Sequence, residues 1–277
     1  MRIPQTKKAW ALTAAGVGAA LAVIVVSRQR APRPTGAPPA EVREPRCRTT
    51  RASPVVRAAE MTAICDDVYA EGGLDDARTE ELKVDVELAT RNLEAYFGAL
   101  RSSPLVLFCH TASCKVAFGA PLGAASANDL GFASAQVMLD DGSIAPSAVV
   151  VTGPVEGTAR ILTHELVHAE MKAWVAYDAL PTWFNEGTAT FIASEPRCDA
   201  AGPASEEIDV TRLRTKASWQ RHLARTGKTL ETYCAARRKV EAWMLRFDSD
   251  ALRGEALKSL MTSVGGGTPF EAAYDAL

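Results

Sequence analysis

The chain has 277 residues, of which 47% are hydrophobic and 23% are charged, and its formal net charge is −2. This composition is typical of a globular protein and excludes a mostly disordered one. Residues 1–57 hold eleven Lys and Arg against two acids, whereas residues 58–277 hold twenty against thirty-one; such an acidic region argues against nucleic acid as the main partner, because phosphate binding requires positive charge.

The N-terminal region contains an apolar segment that is typical of membrane insertion or export. Ala9 to Val26 are eighteen residues without a charge, and Lys7 and Lys8 precede them. As a helix this segment would be roughly 27 Å long, slightly shorter than a bilayer core of about 30 Å. We therefore predict that residues 1–27 form either a single-pass membrane anchor or a cleaved signal peptide.

A Pro- and Arg-rich stretch, residues 28–57, follows and is predicted to be an extended linker to a folded domain of residues 58–277. All six cysteines lie beyond the apolar segment. In an exported protein they can form disulfides, and the closest pair, Cys109 and Cys114, is the best candidate for one of them. Buried free thiols are the alternative.

Two helices are predicted at the start of the domain, over residues 58–72 and 75–100, because both stretches have helical hydrophobic spacing. In the second stretch four apolar residues fall near one face: Leu82, Val86, Leu93 and Phe97. Three strands are predicted next, over residues 104–109, 135–139 and 147–152, and turn chemistry at Asp141-Gly142 separates the last two.

The second half of the domain is predicted to be mainly helical. One helix is expected over residues 158–175 and another over residues 181–194, where a proline occupies the first position. Residues 195–210 are predicted to be a loop. The remainder is predicted to be helical, with a break at Gly265-Gly266-Gly267 before a last short helix.

The most informative stretch is His164-Glu165-Leu166-Val167-His168, in the first of these helices. Positions i and i+4 share a helix face, so both imidazoles can bind one metal ion. Glu165 lies roughly 100° around the helix, where its carboxylate can contact a water molecule beside the ion. Two neutral imidazoles suit zinc, and an open coordination position makes such a site catalytic.

A third ligand is predicted at Glu186, in the sequence Trp183-Phe184-Asn185-Glu186-Gly187. It lies eighteen positions after His168, which is enough chain for a loop and a second helix packed beside the first. A solvent-exposed carboxylate is the alternative, but two aromatic residues and a glycine flank this position. We therefore expect Glu186 to complete the metal site.

The two motifs, His-Glu-Leu-Val-His and Trp-Phe-Asn-Glu-Gly, together resemble those of gluzincin metallopeptidases, especially bacterial peptidase MA-like domains. The resemblance extends over roughly residues 130–277. It implies that His164, His168 and Glu186 hold one zinc ion and that Glu165 is the general base. With the predicted elements, it implies an α+β, zincin-like fold with a small, mostly antiparallel sheet, a two-helix metal site and a helical C-terminal half.

The resemblance also has implications for the substrate. The segment between His168 and Glu186 is one residue shorter than is typical of the aminopeptidase branch, and no Gly-x-Met-Glu-Asn-type motif lies upstream, so an endopeptidase or a peptidase of unassigned type is expected. The family uses a tyrosine to stabilise the oxyanion, and Tyr233 and Tyr177 are the two candidates. By the same resemblance, the strand over residues 147–152 is expected to pair with an extended substrate.

The sequence therefore predicts zinc-dependent hydrolysis of peptide or protein substrates by an exported metallopeptidase tethered to the membrane through its N-terminal segment. The catalytic domain is expected outside the cytoplasm, in the periplasm, or secreted if the segment is cleaved. The alternative is a zinc-binding scaffold or interaction domain at the cell envelope that has lost catalysis. The presence of Glu165 argues against that alternative, since a non-catalytic site needs no base.

Overall fold

The computed structural model describes residue 47 and residues 61–118, 131–134, 137–138, 144–145, 148–205 and 207–277, all of which belong to the unit Glu44–Leu277. The predicted anchor or signal peptide, the Asp141-Gly142 turn and the predicted linker other than Cys47 lie outside these residues. In the described part of the chain, no helix is both long enough and apolar enough to cross a bilayer.

The main sheet has five strands in the described part of the chain. Their spatial order is β1 (Met61–Cys65), β2 (Val68–Glu71), β3 (Leu105–Cys109), β7 (Ala148–Thr152) and β4 (Gly131–Ser134). A separate pair consists of β5 (Val137–Met138) and β6 (Ile144–Ala145).

The main sheet is mixed, so the expectation of a mostly antiparallel sheet is wrong. The β1–β2 and β4–β7 pairs are antiparallel, whereas β2–β3 and β3–β7 are parallel. A long helix connects β2 to β3 and returns the chain to the same end of the sheet, which makes these neighbouring strands parallel.

Helices make up most of the remaining described chain, and the α+β class and the helical C-terminal half are as predicted. The helices are α1 (Asp76–Phe97), α2 (Ala112–Ala117), α3 (Thr158–Trp174), α4 (Thr182–Ile192), α5 (Arg197–Ala200), α6 (Lys216–Thr226), α7 (Thr229–Met244), α8 (Asp250–Gly265) and α9 (Phe270–Asp275). The predicted loop over residues 195–210 contains the short α5, the whole 3₁₀ turn Gly202–Ser205 and the first residue of the 3₁₀ turn Val210–Arg212.

The predicted helix over residues 58–72 is wrong in its described part, where β1 and β2 form a hairpin. Asp67 in the turn has a φ of 59°, a left-handed conformation that Asp adopts more readily than most residues. Val68, Tyr69 and Ala70 are each at most 4% exposed, and β2 pairs on one side with β1 and on the other with β3. Sheet pairing therefore decides the structure of a short stretch whose spacing was ambiguous.

Helices α1 and α3 form a layer on one face of the sheet. The four apolar residues predicted to share a face of α1 are all buried in this layer, each at most 2% exposed. Helix α3 lies directly against β7 and β4 on one side and against α4 on another. Helix α3 is thereby packed between the sheet and the C-terminal helices.

Candidate metal centre

Helix α3 places two histidines on one face, one turn apart, as the sequence predicts. Its apolar residues Ile161, Leu162 and Leu166 are buried in the core, which fixes the rotation of the helix. His164 and His168 then project from the same side, with Nε2 atoms 3.1 Å apart. Their side chains are 18% and 8% exposed, so both imidazoles are largely shielded from solvent.

Helix α4 brings Glu186 to the same point. Glu186 Oε2 lies 3.4 Å from the Nε2 atom of His164 and 3.4 Å from that of His168. Its side chain is only 13% exposed, which excludes the alternative of a solvent-exposed carboxylate. The three predicted ligands therefore converge, although eighteen positions separate Glu186 from the nearer histidine.

Close packing of α4 against α7 makes this convergence possible. Gly187 faces the backbone of α7 so closely that an added Cβ would lie 2.5 Å from the carbonyl oxygen of Ala236. Ala189 and Ala236 are fully buried in the same region. Small residues on α4 therefore allow it to pack closely against α7, and α4 also contacts α3.

Asn185 contributes to the site in a way that the sequence did not indicate. Its side chain is 2% exposed, and its Oδ1 accepts a hydrogen bond of 2.8 Å from Nδ1 of His168. This bond places the proton of a neutral His168 on Nδ1 and leaves Nε2 available as a ligand. The position of Asn185 directly before Glu186 could have indicated that it lies near the metal site, but no local sequence pattern predicts that it bonds to His168.

The ionisation of His168 and that of Glu186 depend on each other. Burial alone would lower the pKa of His168, but the Glu186 carboxylate raises it to about 9. Burial would likewise raise the pKa of Glu186, but the neighbouring imidazoles hold it well below its usual range. An anionic Glu186 thus faces a cationic His168, and a metal ion can replace the proton that the imidazole carries.

The spacing of these ligand atoms fits a small cation. Around a tetrahedral ion with bonds of about 2.05 Å, neighbouring ligand atoms are about 3.3 Å apart, close to the observed 3.1, 3.4 and 3.4 Å. Among the described residues, this trio forms a group that could hold a metal ion.

Glu165 and Tyr233 lie beside the trio, on a cavity of about 380 Å³ that His164 also lines. Glu165 is 8% exposed and lies close to the start of β4, where a Cβ on Gly131 would be 3.0 Å from its Cγ. The ring of Tyr233 is centred 6.1 Å from that of His164. The other candidate, Tyr177, lies in the 3₁₀ turn Tyr177–Ala179, after α3 ends.

The expected substrate-pairing strand requires a correction. The predicted strand over residues 147–152 corresponds to β7, which pairs with β3 on one side and β4 on the other. Both hydrogen-bonding edges of β7 are thus occupied, and β4 is the strand on the side nearest the metal centre. Among the residues that the structure describes, strand β4 lies at the edge of the main sheet, and Gly131 at its start borders the cavity.

Comparison with known proteins adds no assignment to this geometry. No protein-family model matches the chain, and no significant match was found among curated proteins or solved structures. Inference about function therefore rests on the residues of the site itself.

Proposed function

We propose that this protein is an exported, zinc-dependent peptidase of the gluzincin type. The observation that carries the proposal is the convergence of His164, His168 and Glu186 at distances suited to a tetrahedral ion. Two imidazoles and one carboxylate are a ligand set typical of zinc, and three protein ligands with an open position are typical of catalytic sites. The sequence motifs support the same assignment, since they resemble those of gluzincins.

Zinc held by these residues would lower the pKa of a water molecule and polarise the scissile carbonyl group. Glu165 lines the cavity beside His164, where its carboxylate would accept a proton and then deliver it to the leaving amine. Tyr233 would donate a hydrogen bond from its phenol hydroxyl group to the oxyanion. The edge of β4 would pair with the main chain of an extended peptide and orient it across the cavity.

The proposed location is outside the cytoplasm, with residues 1–27 serving as membrane anchor or signal peptide. The disulfides support export, since all six cysteines are paired as Cys47–Cys65, Cys109–Cys114 and Cys198–Cys234. Disulfides persist mainly in oxidising compartments.

Two carboxylate variants test the proposed roles. Glu165→Gln keeps the side-chain size and all three proposed ligands, so we expect zinc to stay bound while peptide hydrolysis falls by about 10²–10⁴-fold. Glu186→Ala removes a ligand, so zinc content itself should fall, and activity with it. Zinc per mole of protein and hydrolysis of a broad peptide library are the two measurements.

Glu255→Gln is the matched control, because Glu255 is an exposed carboxylate paired with Lys258 on α8. It should leave both zinc content and activity unchanged. Loss of zinc from Glu165→Gln together with its retention by Glu186→Ala would contradict the assigned roles. An unmutated protein that binds zinc but cleaves no peptide would instead favour the non-catalytic scaffold.

A further inference from the structure

The cavity beside the metal centre extends to a group of charged residues that the proposed mechanism does not use. It is lined by Arg160, Glu195 and Arg197 in addition to His164 and Glu165. Arg160 precedes His164 by four positions, so it lies one helix turn away on the same face of α3. The other two residues follow the end of α4, where Ser194 has a left-handed backbone (φ 53°) that turns the chain back.

These three side chains form one arrangement, which we call the arginine pair with its bridging glutamate. Glu195 Oε2 lies 3.1 Å from Arg160 Nε, and its two carboxylate oxygens accept hydrogen bonds of 2.8 and 3.0 Å from Arg197. The Glu195 side chain is 11% exposed and that of Arg160 is 26% exposed. The bridging carboxylate therefore holds both guanidinium groups in place at the cavity wall.

The charge of this arrangement is not balanced. Two guanidinium groups share one carboxylate, which leaves a net charge of one positive unit among the three residues. At the metal centre, by contrast, a divalent ion would be balanced by the carboxylates of Glu165 and Glu186. The net charge of the metal-loaded cavity would then come from the arginine pair. The partial burial of Arg160 strengthens the attraction of this charge for an anion.

We propose that the arginine pair binds a carboxylate of the peptide substrate, so that the enzyme prefers an acidic group close to the scissile bond. This inference rests on the proposed peptidase function. Arg160 lies one helix turn, about 5.4 Å, from the ligand His164. Each residue of an extended peptide spans about 3.3 Å, so this distance places the bound carboxylate one or two residues from the cleaved bond. Arginine suits this role, because its planar donor groups match the geometry of a carboxylate.

Two sources of the carboxylate are distinguished by matched peptides. One series of decapeptides carries a single Glu or Gln at each position in turn, with an amidated C-terminus. A second series has a free C-terminal carboxylate and no acidic side chain. Each acidic peptide is compared with its neutral counterpart, which carries Gln or an amidated C-terminus instead. We expect kcat/KM to be about 10–100-fold higher for the acidic peptide when its carboxylate reaches the arginine pair.

Arginine variants connect this preference to the cavity. Arg160→Gln and Arg197→Gln should each reduce the ratio of kcat/KM for the Glu and Gln peptides by about tenfold, while the Gln peptide is still cleaved. Arg225→Gln, at an exposed position on α6, should leave the ratio unchanged. The Arg197 side chain is 56% exposed, so its variant tests the proposal even if Arg160→Gln fails to fold.

Binding of the same peptides to the zinc-loaded Glu165→Gln protein separates this proposal from the proposed function. Tighter binding of acidic peptides, lost in Glu165→Gln/Arg197→Gln, supports the arginine pair even if the unmutated protein cleaves nothing. Cleavage with equal kcat/KM for Glu and Gln peptides, and for free and amidated C-termini, would overturn the proposal while the peptidase function stands. Equal binding with no cleavage would overturn both.

Discussion

The hydrogen bond between Asn185 and His168 determines which imidazole nitrogen faces the proposed metal. Such a partner typically changes metal affinity by 10–100-fold when it is removed. We expect Asn185→Ala to weaken zinc binding by about that factor, and Asn185→Asp, which keeps an acceptor oxygen, to weaken it less. Competition with a chelator of known affinity measures both. Equal zinc affinity in Asn185→Ala and the unmutated protein would contradict this role.

The ionisation of His168 predicts opposite pH responses for the metal-free and zinc-loaded protein. Without metal, Glu186 raises the pKa of His168 from 6.5 to about 9 despite its burial. A raised pKa in the folded state stabilises the protein below pH 6.5, and this stabilisation is lost as pH rises through about 9. The free energy of unfolding of the metal-free protein should therefore fall across this range in urea titrations.

Zinc must displace the proton from His168, so its apparent affinity should rise across the same range, by up to about tenfold per pH unit. Glu186→Gln is the control for the metal-free response, because it removes the charge that raises the pKa of His168. In this variant the fall in stability between pH 6.5 and 9 should be much smaller. A metal-free protein that becomes more stable as pH rises through this range would refute the coupling.

The single-residue features divide into those that local spacing specifies and those that it does not. His164, Glu165 and His168 could be predicted because one helix sets their relative positions whatever surrounds it. Glu186 required a second motif and the assumption that its helix packs beside the first. Asn185 could not be assigned a role, since its partner is determined by how α4 meets α3.

At the scale of whole elements, contact between α4 and α7 sets the position of Glu186. An alanine at position 187 would place its Cβ 2.5 Å from the carbonyl oxygen of Ala236, so the two helices would have to separate. We expect Gly187→Ala to lower the free energy of unfolding by about 1–3 kcal/mol. It should also weaken zinc binding, because the adjacent Glu186 moves with the helix.

Gly254→Ala is a matched control for this prediction. Its Cβ would meet the backbone of Tyr96, where α8 contacts α1, and neither of these helices carries a proposed ligand. It should lower stability while the folded fraction keeps its zinc affinity. Urea unfolding and zinc titration of the two variants provide the comparison. If both glycine variants weaken zinc binding equally, the effect is a general loss of packing.

Elements with long periodic patterns could be predicted, whereas short ones could not. The 22-residue α1 has one apolar face that repeats over several turns, and α3 combines such a face with the metal motif. Strands β1, with five residues, and β2, with four, have too few positions to distinguish a strand from a helical turn. Strand β2 pairs with β3, which lies more than thirty residues further along the chain, so local sequence alone does not specify its structure.

At the scale of the whole molecule, two of the three disulfides connect parts of the domain that are distant in sequence, and the third closes a short local loop. Cys198–Cys234 spans 36 residues, Cys47–Cys65 spans 18 and Cys109–Cys114 spans 5. The Cys198–Cys234 disulfide is adjacent in sequence to Arg197 and to Tyr233, which both line the cavity, so it connects two walls of the cavity. The Cys47–Cys65 disulfide attaches residue 47, which lies within the predicted linker, to the end of β1.

The loop lengths predict how much each bridge stabilises the domain. The loss of chain entropy in the unfolded state corresponds to about 4 kcal/mol for the longest loop, about 3 for the intermediate one and about 2 for the shortest. Their sum is comparable to the whole stability of a typical domain, about 5–15 kcal/mol. Protein isolated without reductant should therefore contain no free thiols when denatured, and reduction should unfold much of it.

Paired alanine variants test the ranking directly. Cys198→Ala/Cys234→Ala should lower the free energy of unfolding about twice as much as Cys109→Ala/Cys114→Ala, because its loop is much longer. The first pair should also reduce the Glu-to-Gln preference of the remaining folded protein, since it releases the chain next to Arg197, whereas the second should not. Six reactive thiols in protein from its natural source would contradict both the bridges and the proposed oxidising location.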